Sequence, residues 1–94
     1  MAAKSALEGL SRALAVELGS SGITVNMVAP STLVTDQTVG MGDRARLLAA
    51  SQAPLHRLAE LEDVANTVSF LASDAAAFIT GAVIPVAGGT VMLA

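Results

Sequence analysis

Hydroxyl side chains follow the most strand-like stretch of this 94-residue chain. Residues 23–29 alternate apolar with polar and then become wholly apolar, as expected of a β-strand that is covered first on one face and then on both. Pro30 is expected to end the strand because it has no N–H for the ladder. Ser31, Thr32 and Thr35 come next. Ligands of open parallel sheets bind just past the carboxyl ends of strands, so this loop is the first candidate binding site.

The composition limits the chemistry that the chain can perform. It has no cysteine, tyrosine or tryptophan and a single histidine. Thiolate metal sites and disulfides are therefore excluded, a Ser-His-Asp relay has little to draw on, and we predict no metal site. The net charge is −3, and the five basic residues are scattered, so we predict no binding of nucleic acid. The absence of cysteine fits a reducing compartment and favours a cytoplasmic location.

The chain has more apolar side chains than so short a sequence can bury. Hydrophobic residues make up 53% of it and charged residues only 14%. Such a surplus predicts contact with another chain or segment, although alanine also inflates this proportion in ordinary helical proteins. Residues 75–94 carry no charge, which raises the question of a membrane span. Four helix-breaking residues interrupt that stretch, so we predict no membrane span: Gly81, Pro85, Gly88 and Gly89.

Apolar periodicity predicts a helix over residues 2–18. One face of that helix has a period of 3.6 residues, and a second stripe consists of small residues. A helix that is apolar on two sides is expected to be sandwiched between neighbouring elements. The alternative is that the alanines are present only for their helix propensity, in which case the second side needs no covering. Gly19 and Gly22 are expected to end the helix. The periodic face consists of Ala3, Leu7, Leu10, Leu14 and Leu18.

The remaining segments complete one crossover unit. We predict a loop at 36–43, a helix at 44–51, a connector at 54–61, a helix from about 62 to 73 and a strand at 82–86. The order helix, strand, helix, helix, strand makes the two strands parallel if they pair. The buried face of the last helix is predicted to contain Val64, Ala65, Val68, Leu71 and Ala72.

Several motifs, in order along nearly the whole chain, resemble the short-chain dehydrogenase/reductase family, in particular members such as the 3-oxoacyl-carrier-protein reductases. The resemblance implies an α/β fold, with residues 1–94 forming the C-terminal part of a Rossmann-type doubly wound parallel sheet. It also implies NAD or NADP as cofactor and hydride transfer between nicotinamide and a small-molecule carbonyl or alcohol. The motifs are residues 2–7, 14–18 and 22–30, Pro54-Leu55-His56-Arg57, Glu62-Asp63-Val64-Ala65, residues 70–73, Ile79-Thr80-Gly81 and Gly88-Gly89.

The resemblance assigns roles to five residues. Lys4 matches the lysine of the family's catalytic Tyr-x-x-x-Lys motif, in which lysine also binds the nicotinamide ribose. The tyrosine would fall one position before Met1. Pro30, Ser31, Leu33 and Thr35 match the segment that lies against the nicotinamide carboxamide. The family's glycine-rich loop, cofactor-selecting residue, catalytic serine and catalytic asparagine have no counterpart in the chain.

We therefore expect a C-terminal fragment that is inactive alone and forms a homo-oligomer or associates with the missing N-terminal half. The alternative is a non-catalytic oligomerisation or interaction module. Four departures from the family pattern affect the site and its surroundings. Ser31 and His56 stand where glycine is common, Leu61 stands in place of proline, and Ala87 replaces an aspartate.

Overall fold

A computed structural model describes residues 2–31, 40 and 42–90 of the chain. These residues form helices, two strands and two short 3-10 turns, in the predicted order. The elements are α1 (Ala2–Leu18), β1 (Met27–Pro30), α2 (Asp43–Ser51), α3 (Leu61–Leu71) and β2 (Val83–Val86), with the 3-10 turns at Gly19–Ser21 and Asp74–Ala76.

The two strands pair in parallel, as the crossover order predicts. Met27 lies opposite Val83, and Pro30 lies opposite Val86. Helix α3, which lies between the strands in sequence, packs against both of them. The α/β class and the parallel connection are thus confirmed, and the unit is part of a Rossmann-type sheet.

The first strand is shorter than predicted and shifted towards the carboxyl end. It starts at Met27 rather than Ile23, and Pro30 belongs to it instead of ending it. The N–H groups of Met27 and Ser31 donate to the carbonyls of Ala82 and Val86 at 2.9 and 3.1 Å. Alternate residues of a parallel strand bond to opposite neighbours, so the missing N–H of Pro30 falls on the edge away from β2. Proline therefore costs this pairing nothing.

Glycine ends α1 where the sequence indicates. Gly22 has φ 74° and donates its N–H to the carbonyl of Gly19, a left-handed conformation that favours glycine. The expectation of a sandwiched helix is not met by the described residues. Leu7 and Leu10 are 52% and 56% exposed, whereas buried Glu8 was not expected.

Helix α3 begins one residue before its predicted start and ends two residues before its predicted end. The N–H groups of Ala72 and Ser73 close its last turn by donating to the carbonyls of Val68 and Phe70, both at 3.0 Å. Its predicted buried face is only partly correct: Val64 and Leu71 are half-buried, but Ala65, Val68 and Ala72 are exposed.

Few large side chains are covered in the described part of the chain. The hydrophobic residues buried there are five alanines: Ala15, Ala53, Ala59, Ala76 and Ala87. Val16 and Phe78, by contrast, are almost fully exposed. Among the described residues, no helix combines the length and the apolar character needed to cross a bilayer.

Candidate functional site

The candidate site lies at the carboxyl ends of β1 and β2. Pro30 is level with Val86, and the Ser31 N–H donates to the carbonyl of Val86 at 3.1 Å. The parallel pairing therefore delivers the Ser31 side chain, which is half-buried, to the edge of the sheet where ligands bind. Ser31 has no positive φ, in contrast to His56. Replacing the family's glycine at Ser31 therefore strains nothing.

The two glycines after β2 hold the connector against this edge. The Leu55 N–H donates to the Gly88 carbonyl at 2.9 Å. Gly89 has φ 92°, and a Cβ there would lie 2.9 Å from Pro54 Cγ. Only glycine allows both the left-handed backbone and this close approach to Pro54. The Gly-Gly pair thus fixes where the chain returns from α2 to the sheet.

A small cavity opens between the strand ends and the end of α2. Its volume is about 50 Å³, and Ser31, Gln52 and Thr90 contribute its polar lining together with Arg57. One water molecule occupies about 30 Å³ of liquid, so the cavity has room for a water or two.

Arg57 holds the connector to the first turn of α3. Its guanidinium donates to both carboxylate oxygens of Asp63 at 2.8 and 3.1 Å. The Glu60 N–H donates to the same carboxylate at 2.8 Å. The bond from Arg57, followed by that from the Glu60 N–H, lowers the pKa of Asp63 to about 2. The carboxylate stabilises the start of the helix by satisfying a backbone N–H that has no partner within the helix.

No hydrogen bond between described residues, and none of the three described cavities, joins Lys4 to Ser31. Lys4 lies half-buried in the first turn of α1, and its ammonium has no hydrogen bond to any other described residue. Lys4 is also absent from the lining of the three described cavities. Its catalytic role remains a prediction, as does the cofactor role of Pro30 and Ser31. Leu33 and Thr35, together with most of the predicted 36–43 loop, lie outside the described residues.

Two larger concavities lie elsewhere, and neither is lined by Pro30 or Ser31. One, of about 360 Å³, lies between α3 and β2. The other, of about 480 Å³, lies between α2 and the connector and includes His56. His56 adopts φ 57°. A left-handed backbone favours glycine, the residue that the family resemblance leads us to expect at this position.

Sequence reasoning missed the polar joint at the opposite, amino end of the strands. The Asn26 side chain donates to the carbonyl of Ile79 and accepts from the N–H of Ala82, both at 3.1 Å. The Val25 N–H donates to the Thr80 hydroxyl at 3.0 Å. The available signal was Asn26 itself, a polar residue directly before an apolar stretch, because a side-chain amide must find partners when it is covered.

Parallel strands joined by a helical crossover, with polar residues at their carboxyl ends, define an α/β unit with a candidate ligand site. Comparison with known proteins gives the family. Residues 1–91 match the family model described as enoyl-(acyl carrier protein) reductase. The chain is 52% identical over 91 residues to the 3-oxoacyl-[acyl-carrier-protein] reductase FabG of Pseudomonas aeruginosa, covering 97% of this chain and 37% of that protein.

Further relatives carry the same name. FabG of Escherichia coli strain K12 is 48% identical over 92 residues, covering 98% of this chain and 38% of that protein. FabG of Staphylococcus aureus strain N315 is 47% identical over 92 residues, covering 98% of this chain and 37% of that protein. The chain belongs to the short-chain dehydrogenase/reductase family. It spans little more than a third of the length of these relatives.

Proposed function

We propose that this chain is the C-terminal part of an NAD- or NADP-dependent short-chain oxidoreductase. In this proposal it supplies the catalytic lysine and the nicotinamide-side loop. Three relatives at 47–52% identity are 3-oxoacyl-[acyl-carrier-protein] reductases, which favours a small-molecule carbonyl as substrate. The single observation that carries the proposal is the parallel register, which ends β1 and β2 together at Pro30 and Val86.

In this proposal the described residues form one wall of the nicotinamide site. The Ser31 N–H is held by the carbonyl of Val86, and the Ser31 side chain lines a cavity with a partly polar wall. That cavity is too small for a nicotinamide ring. The loop after Ser31 would add Leu33 and Thr35 to the wall, by resemblance to the family. When bound, the cofactor would supply or accept the hydride.

Lys4 would act on a proton rather than on the hydride. An ammonium close to a phenol favours the phenolate, and so lowers the phenol pKa from its usual value of about 10 towards neutrality. The same ammonium can donate to ribose hydroxyls and so orient the cofactor. The 94 residues contain no tyrosine, so the phenol must come from a segment or chain that this sequence does not include.

A chimera tests the proposal directly. Residues 1–91 of this chain would replace the matching 91 residues of the Pseudomonas reductase, and loss of reduced-cofactor absorbance would be followed with a 3-oxoacyl substrate. We expect turnover. A chimera that folds and binds reduced cofactor but shows no turnover would contradict the proposal.

By itself, the 94-residue chain should transfer no hydride. General acid catalysis contributes roughly 10²- to 10⁴-fold, and the chain lacks a phenol to provide it. The edge of β1 away from β2 has no partner strand among the described residues, so a further strand could pair there. Mixing the chain with a separately produced remainder of the Pseudomonas reductase should therefore restore activity. Turnover by the unmixed chain with either reduced cofactor and a panel of ketones would contradict this expectation.

The second candidate function is a non-catalytic oligomerisation or interaction module. The exposed leucines and valine of α1 favour it, because an apolar helix face without partners is unstable in water. Association without any restoration of activity, in both the chimera and the mixing experiment, would favour this alternative. Sedimentation showing a folded monomer at low concentration would contradict it.

A further inference from the structure

The amino ends of β1 and β2 are joined by side-chain hydrogen bonds in addition to the strand ladder. Asn26 bridges two backbone groups of the segment that enters β2, the Ile79 carbonyl and the Ala82 N–H. The neighbouring bonds run from Val25 to Thr80 and from Gly81 to Val25, at 3.0 and 2.7 Å. These contacts link residues more than fifty positions apart, and we call them the Asn26 joint.

Helix α1 meets the sheet at the same joint. Gly81 has φ 71°, and a Cβ built there would lie 3.7 Å from the Cβ of Ala15. Ala15 is one of the buried alanines. The joint therefore ties the entry to β1 to the entry to β2 and lies against the middle of α1.

The two described residues of the proposed site, Lys4 and Ser31, lie at similar distances from this joint. Lys4 lies eleven residues before Ala15 on α1, about 16 Å along the axis of a rigid helix. Ser31 lies five residues after Asn26 along β1, about 16 Å along an extended strand. A change of register or tilt at the joint would therefore displace both Lys4 and Ser31. A one-residue slip of so short a strand would also exchange its two faces.

We propose that Asn26 is a positioning residue. It sets the geometry between the helix that carries Lys4 and the strand that carries Ser31. This inference rests on the proposed function, which gives Lys4 and Ser31 their roles. The geometry itself can be measured without cofactor or substrate.

The substitution Asn26→Asp tests the joint with almost no change of shape. The carboxylate still accepts from Ala82, but it faces the Ile79 carbonyl with no proton to donate. Protonation restores a donor, so acidification to about pH 4 should partly rescue the joint. The ion pair of Asp63 persists at that pH because its pKa is about 2.

The readout is a distance between two spin labels in the folded chain. The native sequence has no cysteine, so Ser5→Cys on α1 and Pro85→Cys on β2 place labels at two exposed positions. Pro85 lies opposite Ala29 in the parallel register, so the β2 label follows the position of β1. The labelled chain is diluted with unlabelled chain, so that pairs within one copy dominate. We expect a single narrow distribution in the parent, at least a two-fold broader one for N26D at pH 7, and narrowing at the lower pH.

Matched variants keep the result decisive. Asn66→Asp adds the same charge at an exposed position on α3 and should leave the distribution unchanged. If N26D fails to fold, Thr80→Val is the substitute, because it removes the hydroxyl that accepts from the Val25 N–H and keeps the side-chain shape. This single substitution should also broaden the distance distribution. An unchanged distribution in the folded variant, despite a lower unfolding midpoint, would overturn the inference and leave Asn26 a purely stabilising role. A parent distribution as broad as that of the variant would also overturn it. If the chimera is inactive but N26D still broadens the distance distribution, the result counts against the proposed function and not against the role of Asn26.

Discussion

Arg57 and Asp63 form a two-pronged ion pair that fastens the connector to the first turn of α3. The connector is also held at its other end, where Leu55 donates to Gly88. The segment that returns from α2 to the sheet is thus fixed at both ends. The position of the polar wall near Ser31 depends on these two attachments.

Asp63→Asn should lower the stability of the chain near neutral pH and have little effect in strong acid. The folded-state pKa of Asp63, about 2, lies below its ordinary value of 3.8. The ion pair therefore stabilises the fold fully above about pH 4, and this stabilisation is lost as the pH falls through about 2. We expect the parent and D63N to differ in urea midpoint at pH 5 and to converge towards pH 2. The control is Asp74→Asn, at an exposed aspartate that starts a 3-10 turn. A gap between D63N and the parent that stays constant from pH 5 to pH 2 would contradict the assignment.

Gly89→Ala should destabilise the chain by about 1–3 kcal/mol, because overpacking and a left-handed backbone act together. The new methyl would lie 2.9 Å from the Pro54 ring, which cannot rotate away. Gly9→Ala is the matched control, because Gly9 lies in α1 with nothing within 4 Å of the new Cβ. Helix propensity should make G9A neutral or stabilising by roughly 0.5–1 kcal/mol. Urea unfolding of both variants measures the difference, and equal midpoints would refute the close contact at Gly89.

His56→Gly should stabilise the chain by roughly 0.5–1 kcal/mol, since a left-handed conformation is unfavourable for residues with a Cβ. His56 is exposed and has φ 57°, so little packing is lost with the ring. Asn tolerates this conformation better than most residues, and His56→Asn should fall between the parent and H56G. Thermal unfolding ranks the three proteins. A midpoint for H56G below that of the parent would mean that the imidazole makes a stabilising contact.

The sequence predicted the order and type of the elements well because they depend on local pattern. The apolar period of α1, the glycines at 19 and 22 and the crossover order all act over short distances. The carboxyl end of β1 was predicted wrongly because Pro30 lacks only an N–H that would point away from β2. That direction is known only once the partner strand is known. The Asn26 joint was missed for the same reason, since its partners lie more than fifty residues away.

Leu10→Glu should weaken association of the chain. Leu10 is 56% exposed in α1, three residues after exposed Leu7. Covering a leucine side chain contributes about 1.5–3 kcal/mol, so its replacement by a charge should raise the dissociation constant ten-fold or more. Arg12→Glu, at an exposed position on the same helix, makes a larger charge change without removing apolar surface. Sedimentation velocity over a concentration series measures both. If R12E weakens association as much as L10E, charge rather than the apolar face controls it.

Lys4→Met in the Pseudomonas chimera should lower turnover by roughly 10²- to 10⁴-fold, the range expected when proton transfer loses its positioned partner. The methionine keeps most of the length and packing of the lysine stem while removing the ammonium. Arg12→Met removes a cation from the same helix and should leave turnover unchanged. The pH profile provides a second readout: without the ammonium, the phenol pKa should rise towards 10, and the remaining activity should shift to higher pH. An unshifted profile with a normal rate would show that Lys4 is a surface residue and that the proton is handled elsewhere.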